Sequence, residues 1–374
     1  MTARFAISLA AGLLATTAFL AGPALAQDPP PLATLGPPPV PADNPMTDAK
    51  VELGKKLFWD GRLSGNGAMA CVACHQPHLG WGTGGSISFG YPGTQHWRHS
   101  QTILNSAYHN KLFWEGNVTS LEAQAPAAAG GAVAGNGDDS MMEMNLRFVP
   151  EYVEAFRAIW GTDWPHIAQA WKAIAAFQRT IVTDPEKVPF DRWLAGDADA
   201  MSEEALRGMD IFTGKAGCID CHNGTLVSDE RYYDLGVPRA REFELDPIFQ
   251  ITLRWELYQK GMPEQVYREG DDDLGLYHVT KRPDDMGKFR TPSLRELRWT
   301  GPYMHNGSFW SLEEVVEFYD IGGGPGNAVL QPLGLSPPEK ADLVAFIESL
   351  SMDEPLTMDP PELPETATRA EFPR

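Results

Sequence analysis

Four cysteines are the whole thiol content of this 374-residue chain, and they fall in two matching settings, Cys71-Val72-Ala73-Cys74-His75 and Cys218-Ile219-Asp220-Cys221-His222. Two thiols three positions apart with an imidazole directly after them suit covalent haem attachment. Each sulfur adds to a vinyl group and the histidine reaches the iron. No cysteine remains for a disulfide. Paired cysteines also suit structural zinc, but zinc has no need of a histidine immediately after each pair. The expected cofactors are therefore two covalently bound haem c groups, held by Cys71, Cys74 and His75 in one place and by Cys218, Cys221 and His222 in the other.

Such a chain has to leave the cytoplasm, and its first residues provide for that. Met1 to Ala26 has a basic start at Arg4, an apolar run from Phe5 to Leu20 and a small-residue ending, Ala24-Leu25-Ala26. This predicts a secretory signal over 1–26, too short in its apolar run to span a membrane, and hence a periplasmic protein with no span in the mature chain. A formal charge of −20 argues against nucleic acid as a partner and favours steering of a basic electron-donor protein.

The elements that must position the two haem segments are mainly helical. Residues 27–46 are Pro-rich and read as an extended lead rather than a packed element. Val51, Leu57 and Phe58 mark a short amphipathic helix from Asp48 to Trp59, and a Gly-rich loop then leads to Cys71. Ile167, Trp171, Ile174, Ala175 and Phe177 predict a buried helix between Trp164 and Val182. Ser202 caps the helix that delivers the chain to Cys218, and capping boxes at Ser311/Glu314 and Ser336/Glu339 open two later helices. The fold class is mainly α, with two cytochrome c-like haem domains and few short strands. The domains are expected at 47–195 and 196–355, followed by an extended tail over 356–374.

Three further stretches resemble the bacterial di-haem cytochrome c peroxidase and MauG superfamily: Leu53 to Asp60 with Arg62-Leu63-Ser64, Lys288 to Arg295, and Gly301 to Ser308. The resemblance implies peroxide reduction at the first haem and an electron-relaying second haem. It also implies an electron-donor cytochrome or cupredoxin as partner, or, in the MauG branch, a partner protein oxidised at tryptophan. A non-enzymatic two-haem carrier is the rival outside enzymology.

Tyr319 shares one helix face with Leu312, Val315 and Val316, and it stands where the peroxidases carry an axial methionine and the MauG branch a tyrosine. It is the expected sixth ligand of the second iron, with Met304 less favoured. At the first haem the resemblance assigns Trp114 as a bridge between the haems, Gln124 as a distal amide and Glu143 as the acid/base, with Glu115 and Glu122 as its alternatives. The Ala/Gly-rich stretch from Ala125 to Asp139 is longer than the family's usual connection. His96 matches a loop histidine that blocks the first haem in many resting peroxidases; Tyr319 favours the open arrangement instead. His99 replaces a calcium-binding asparagine, which disfavours the family's interdomain calcium although Thr300 and Pro302 still offer carbonyls. Arg290 and His305 are expected at propionates or the interdomain contact, and His78, His109, His166 and His278 at the surface or in packing.

Overall fold

A computed structural model describes residues 31–366. The expected export signal, the first four residues of the lead and residues 367–374 of the tail lie outside them. Thirteen α-helices and four two-residue strands occur among the described residues, in agreement with the mainly helical class.

The first half contains α1 (Asp48–Trp59), α2 (Leu121–Ala129), α3 (Asp139–Arg147), α4 (Pro150–Trp160) and α5 (Ile167–Gln178). After the linker helix α6 (Pro189–Leu194), the second half contains α7 (Glu203–Thr213), α8 (Arg241–Leu245), α9 (Pro247–Gln259), α10 (Glu264–Glu269), α11 (Tyr277–Thr280), α12 (Leu312–Asp320) and α13 (Pro337–Ser349). Strands β1 (Phe89–Gly90) and β2 (Thr94–Gln95) form one antiparallel pair, and β3 (Tyr232–Tyr233) and β4 (Phe289–Arg290) the other.

Each half is built on one helix crossing, α1 on α5 and α7 on α13. A glycine sits at each crossing because nothing larger fits. A Cβ on Gly54 would lie 2.0 Å from the carbonyl oxygen of Ala173, and one on Gly208 would lie 1.9 Å from that of Asp342. The same glycines abut Phe177 and Phe346, so the two crossings share one register. The expected caps are present: Ser202 accepts the N–H of Ala205, Ser311 accepts that of Glu314, and Glu339 returns to the N–H of Ser336 at 2.7 Å.

The residues of the two main apolar cores change over between Ile181 and Val188, ahead of the polar stretch expected to divide the halves at 195/196. The reason lies in α6, whose Phe190 is in the second core and whose Asp191 forms a buried ion pair with Arg295 at 2.7 Å. The segment from α8 to α11 leaves its own half and lies over the other. There Leu253, Leu257, Met262 and Tyr277 pack on Trp97 and Val133.

The lead and tail are extended as expected, but the lead is also packed. Leu35 is buried, and the carbonyls of Ala33, Gly36 and Pro39 accept from Arg295, Tyr108 and Arg179. In the tail, Leu356 touches both cores and Met358 the first. Buried arginines satisfied by lead carbonyls are what a composition reading of a Pro-rich run overlooks.

Candidate functional site

Both cysteine segments fold as the same tight turn. The N–H of His75 bonds the carbonyl of Cys71 at 3.1 Å, and that of His222 bonds Cys218 at 2.9 Å. Each imidazole is then fixed from behind, Nδ1 of His75 against the Trp81 carbonyl and Nδ1 of His222 against that of Val227, both at 3.2 Å. Trp81 and Val227 adopt left-handed φ values of 60° and 52°, a costly conformation for a β-branched or bulky residue, and one that turns these carbonyls toward the histidines. Occupying Nδ1 in this way leaves Nε2 for a metal. Burial pushes the His75 imidazole down to about 4 and lowers that of His222, so both are neutral, the form that binds iron. Burial likewise pushes the thiols of Cys71 and Cys218 up to about 12 and that of Cys74 up to about 11.

All four sulfurs and both imidazoles line one cavity of about 900 Å³. Its two ends are a first chamber beside Cys71-Cys74-His75 and a second beside Cys218-Cys221-His222. The four unpaired thiols, the two oriented imidazoles and the apolar walls fit two haem c groups. Cys71, Cys74 and His75 would hold one, and Cys218, Cys221 and His222 the other.

A longer repeat, not noticed in the sequence, builds the walls facing these histidines. The tight turn closed by the Leu112–Val118 bridge, with Phe113 at φ 64°, recurs as the one closed by Tyr303–Phe309, with Met304 at φ 73°. Trp114, Gly116, Ser120 and Leu121 have the same mutual spacing as His305, Gly307, Ser311 and Leu312. Each serine caps a nine-residue helix, α2 or α12. The cavity faces of these helices correspond position by position: Leu121, Gln124, Ala125 and Ala128 on α2; Leu312, Val315, Val316 and Tyr319 on α12. The signal was available in Trp-Glu-Gly-Asn followed by Ser-Leu-Glu, against His-Asn-Gly-Ser followed by Ser-Leu-Glu.

The structure brings together Trp114, Gln124, Tyr319, Met304 and His96 on the cavity wall. Burial, with Cys218 and Cys221 nearby, raises the phenol of Tyr319 above its usual range. Trp114 is buried, donates its indole N–H to the His99 carbonyl at 2.9 Å and accepts the Arg290 N–H on its own carbonyl at 2.9 Å, so it joins the halves. His96 stacks on Trp97 with ring centres 4.0 Å apart, and its Nδ1 accepts the Arg98 N–H. His99 is committed twice: Nδ1 faces the Gly85 carbonyl at 3.1 Å, and its own carbonyl is taken by Trp114. Arg290 reaches the Phe113 carbonyl, and His305 stacks on Phe289 at 3.7 Å, both at the contact between halves.

Glu143 is the expectation that needs correcting. Its carboxylate accepts the indole N–H of Trp164 and, at 2.9 Å, the backbone N–H of Ile167, so it closes the start of α5 and is not part of the cavity wall. Helical phase explains this, because on α3 it is the adjacent Met142 that turns into the core. Of the alternatives, Glu122 is tied to Asn44 and Arg179. Glu115 does line the cavity, in a buried cluster with Arg98 and Lys260. Burial opposes its ionisation, but these cations outweigh burial and hold the carboxyl below its usual range.

Residues 48–199 match the di-haem cytochrome c peroxidase family. The chain is 64% identical over 338 residues to the cytochrome-c peroxidase IdrP1 of Denitromonas iodatirespirans, covering 90% of each. It is 35% identical over 333 residues to the methylamine utilization protein MauG of Methylorubrum extorquens, covering 87% of this chain and 84% of that one. The crystal structure of a MauG-like protein associated with microbial copper homeostasis superposes with a TM-score of 0.71 at 30% identity, over 86% of this chain and 95% of that one. Similarity at this level over nearly the whole length, on top of two matching haem-attachment turns, makes the chain a member of the di-haem cytochrome c peroxidase family.

Proposed function

We propose that the chain is a periplasmic di-haem c-type peroxidase that reduces hydrogen peroxide in the first chamber, with the second half storing or relaying electrons. The observation that carries this reading is the difference between α2 and α12. Where α12 presents the phenol of Tyr319, α2 presents only the methyl group of Ala128; where α12 presents Val315, α2 presents the amide of Gln124. One chamber therefore has a sixth ligand facing its histidine, and the other has free space with a polar group beside it.

When bound, haem supplies a redox-active iron whose accessible face takes peroxide and whose doubly ligated counterpart only exchanges electrons. The chain's own residues do the rest. Cys71, Cys74, Cys218 and Cys221 anchor, His75 and His222 ligate from one side, and Tyr319 closes the second iron from the other. A phenolate favours the ferric state there and lowers the potential. Gln124 orients peroxide and holds the water that carries a proton between its two oxygens, a role that falls to it because Glu143 is turned away. Trp114 links the two chambers.

No helix among the described residues is long and apolar enough to cross a membrane. The net charge of −20 suits a basic electron donor, a small cytochrome or a cupredoxin. A second reading, oxidation of tryptophan on a partner protein, has Tyr319 in its favour, the residue that marks the MauG branch.

Electron paramagnetic resonance of the resting protein, followed by mixing with stoichiometric peroxide, tests the proposal. One high-spin and one low-spin signal are expected, with a Soret change that needs no prior reduction. Two low-spin signals and no change before reduction would point to a primed peroxidase with His96 on the first iron. Turnover with a reduced donor cytochrome separates the peroxidase reading from the MauG one.

A further inference from the structure

Gln178, the last residue of α5, is 4% exposed, and its Oε1 has no hydrogen-bond partner among the described residues. With Trp171 and Ile174 it forms the α5 face that lines the first chamber. A buried amide oxygen left unpaired is destabilising, and native interiors rarely keep one without a reason.

The second half shows that the fold does not need it. Ile174, Phe177 and Gln178 on α5 are spaced as Leu343, Phe346 and Ile347 on α13, and the shared register of Gly54 against Ala173 and Phe177, and Gly208 against Asp342 and Phe346, makes these positions equivalent. The second chamber thus closes the same wall with Ile347. The same exchange occurs on the neighbouring helix, Gln124 against Val315. Helices α2 and α5 are adjoining walls, packed through Leu121 and Ala175. The first chamber therefore carries two amides at the positions where its twin carries two aliphatic side chains.

We propose that Gln124 and Gln178 form a two-amide clamp for a small neutral ligand that both donates and accepts hydrogen bonds, which in the first chamber is hydrogen peroxide. The inference rests on the reading of that chamber as the peroxide site. A carboxamide offers two N–H donors and a carbonyl acceptor, and peroxide offers two O–H groups and free lone pairs, so each amide can be satisfied at both ends. A haem propionate cannot meet the need, because an ionised carboxylate only accepts and leaves Oε1 of Gln178 without a donor. Neither amide titrates, so the clamp orients peroxide without competing for its proton. Val315 and Ile347 deny the second chamber the same hold.

The test uses the di-haem holoprotein with Gln178→Met, which keeps the side chain's length, and Gln124→Val, which copies the other half. Two probes are used: hydrogen peroxide, followed by the rate of the Soret change at stoichiometric concentration, and fluoride, followed by its affinity for the oxidised protein. Each variant should slow the peroxide reaction about tenfold and the double variant about a hundredfold, the loss of one and of two hydrogen bonds. Fluoride affinity should fall in step, while the low-spin signal of the second half stays unchanged. Unaltered peroxide rates and fluoride affinity in Gln178→Met would overturn the clamp, as would a variant that shifts only a haem potential, the mark of a propionate neighbour. A wild-type protein that binds fluoride but ignores peroxide would instead remove the peroxide reading, and with it the ligand assigned to the clamp.

Discussion

The indole of Trp114 stands edge-on to the imidazole of His305, ring centres 6.4 Å apart at 80°, although each residue holds the same place in its own half. The two tight turns meet there, and the Trp114–Arg290 backbone bond and the His99–His305 backbone bond, at 2.9 and 2.8 Å, hold them together. Trp114→Phe should fold, lose the bond to the His99 carbonyl and confine the peroxide-induced change to one haem. Stopped-flow spectra resolved into two components would show this; an unchanged second component would argue against a bridge at Trp114.

Tyr319→Phe should alter the spectrum of one haem and raise its potential, because the ferric state loses an anionic ligand. The converse change is sharper. Ala128→Tyr places a phenol on α2 where α12 has one, and it should abolish the high-spin signal together with the response to peroxide. A high-spin signal that survives in Ala128→Tyr would mean that the two helices do not face their histidines alike.

Glu143→Gln should leave the peroxide reaction near its normal rate while lowering stability by about 1–2 kcal/mol, since a charge-assisted bond to the start of α5 becomes a neutral one. Thermal unfolding and stopped-flow mixing of the same sample separate the two effects. A hundredfold slower reaction in the folded variant would restore a catalytic role to this carboxylate.

Glu296 is fully buried, accepts from the Thr183 hydroxyl at 2.7 Å and from the Met352 N–H at 3.2 Å, and is pushed up to about 7, chiefly by burial. The folded protein thus holds a proton there that the unfolded chain releases near 4.5. The resulting stability is complete below about pH 4.5 and is lost as pH rises to 7, on the order of 3 kcal/mol. Glu296→Gln should remove this decline. Melting temperatures of the wild type and variant between pH 5 and 8 should converge at the acid end and diverge toward neutrality; parallel curves would show that Glu296 does not titrate in this range.

The attachment turns, the helices α1, α5, α7, α12 and α13 and the position of Tyr319 were legible in the sequence, because each rests on a local pattern: a fixed cysteine spacing, a capping box, a helical phase. Glu143 was misplaced because a one-residue difference in phase on a short helix, after an unusually long connection, decides between cavity and surface. Gln178 was invisible for another reason. A glutamine at a helix end is ordinarily solvent-exposed, and only the tertiary crossing at Gly54 turns it inward. The packing of the lead and the coverage of the first half by α9 depend on contacts between residues far apart in the chain, which no local pattern records.

Trp81 is engaged at both ends: its carbonyl fixes His75, and its indole donates to the carbonyl of Leu356 at 2.8 Å. Leu356 and Met358 lie against a core otherwise drawn from residues 53–181, so the first half is not sealed until the end of the chain has been made. During export Cys71 and Cys74 are presented long before that late latch arrives. The order of biosynthesis thus leaves the first attachment turn open while it must meet its haem, and shuts it afterwards. A chain stopped just short of Leu356 would contain both attachment turns and both glycine crossings, yet leave the support behind His75 unlatched.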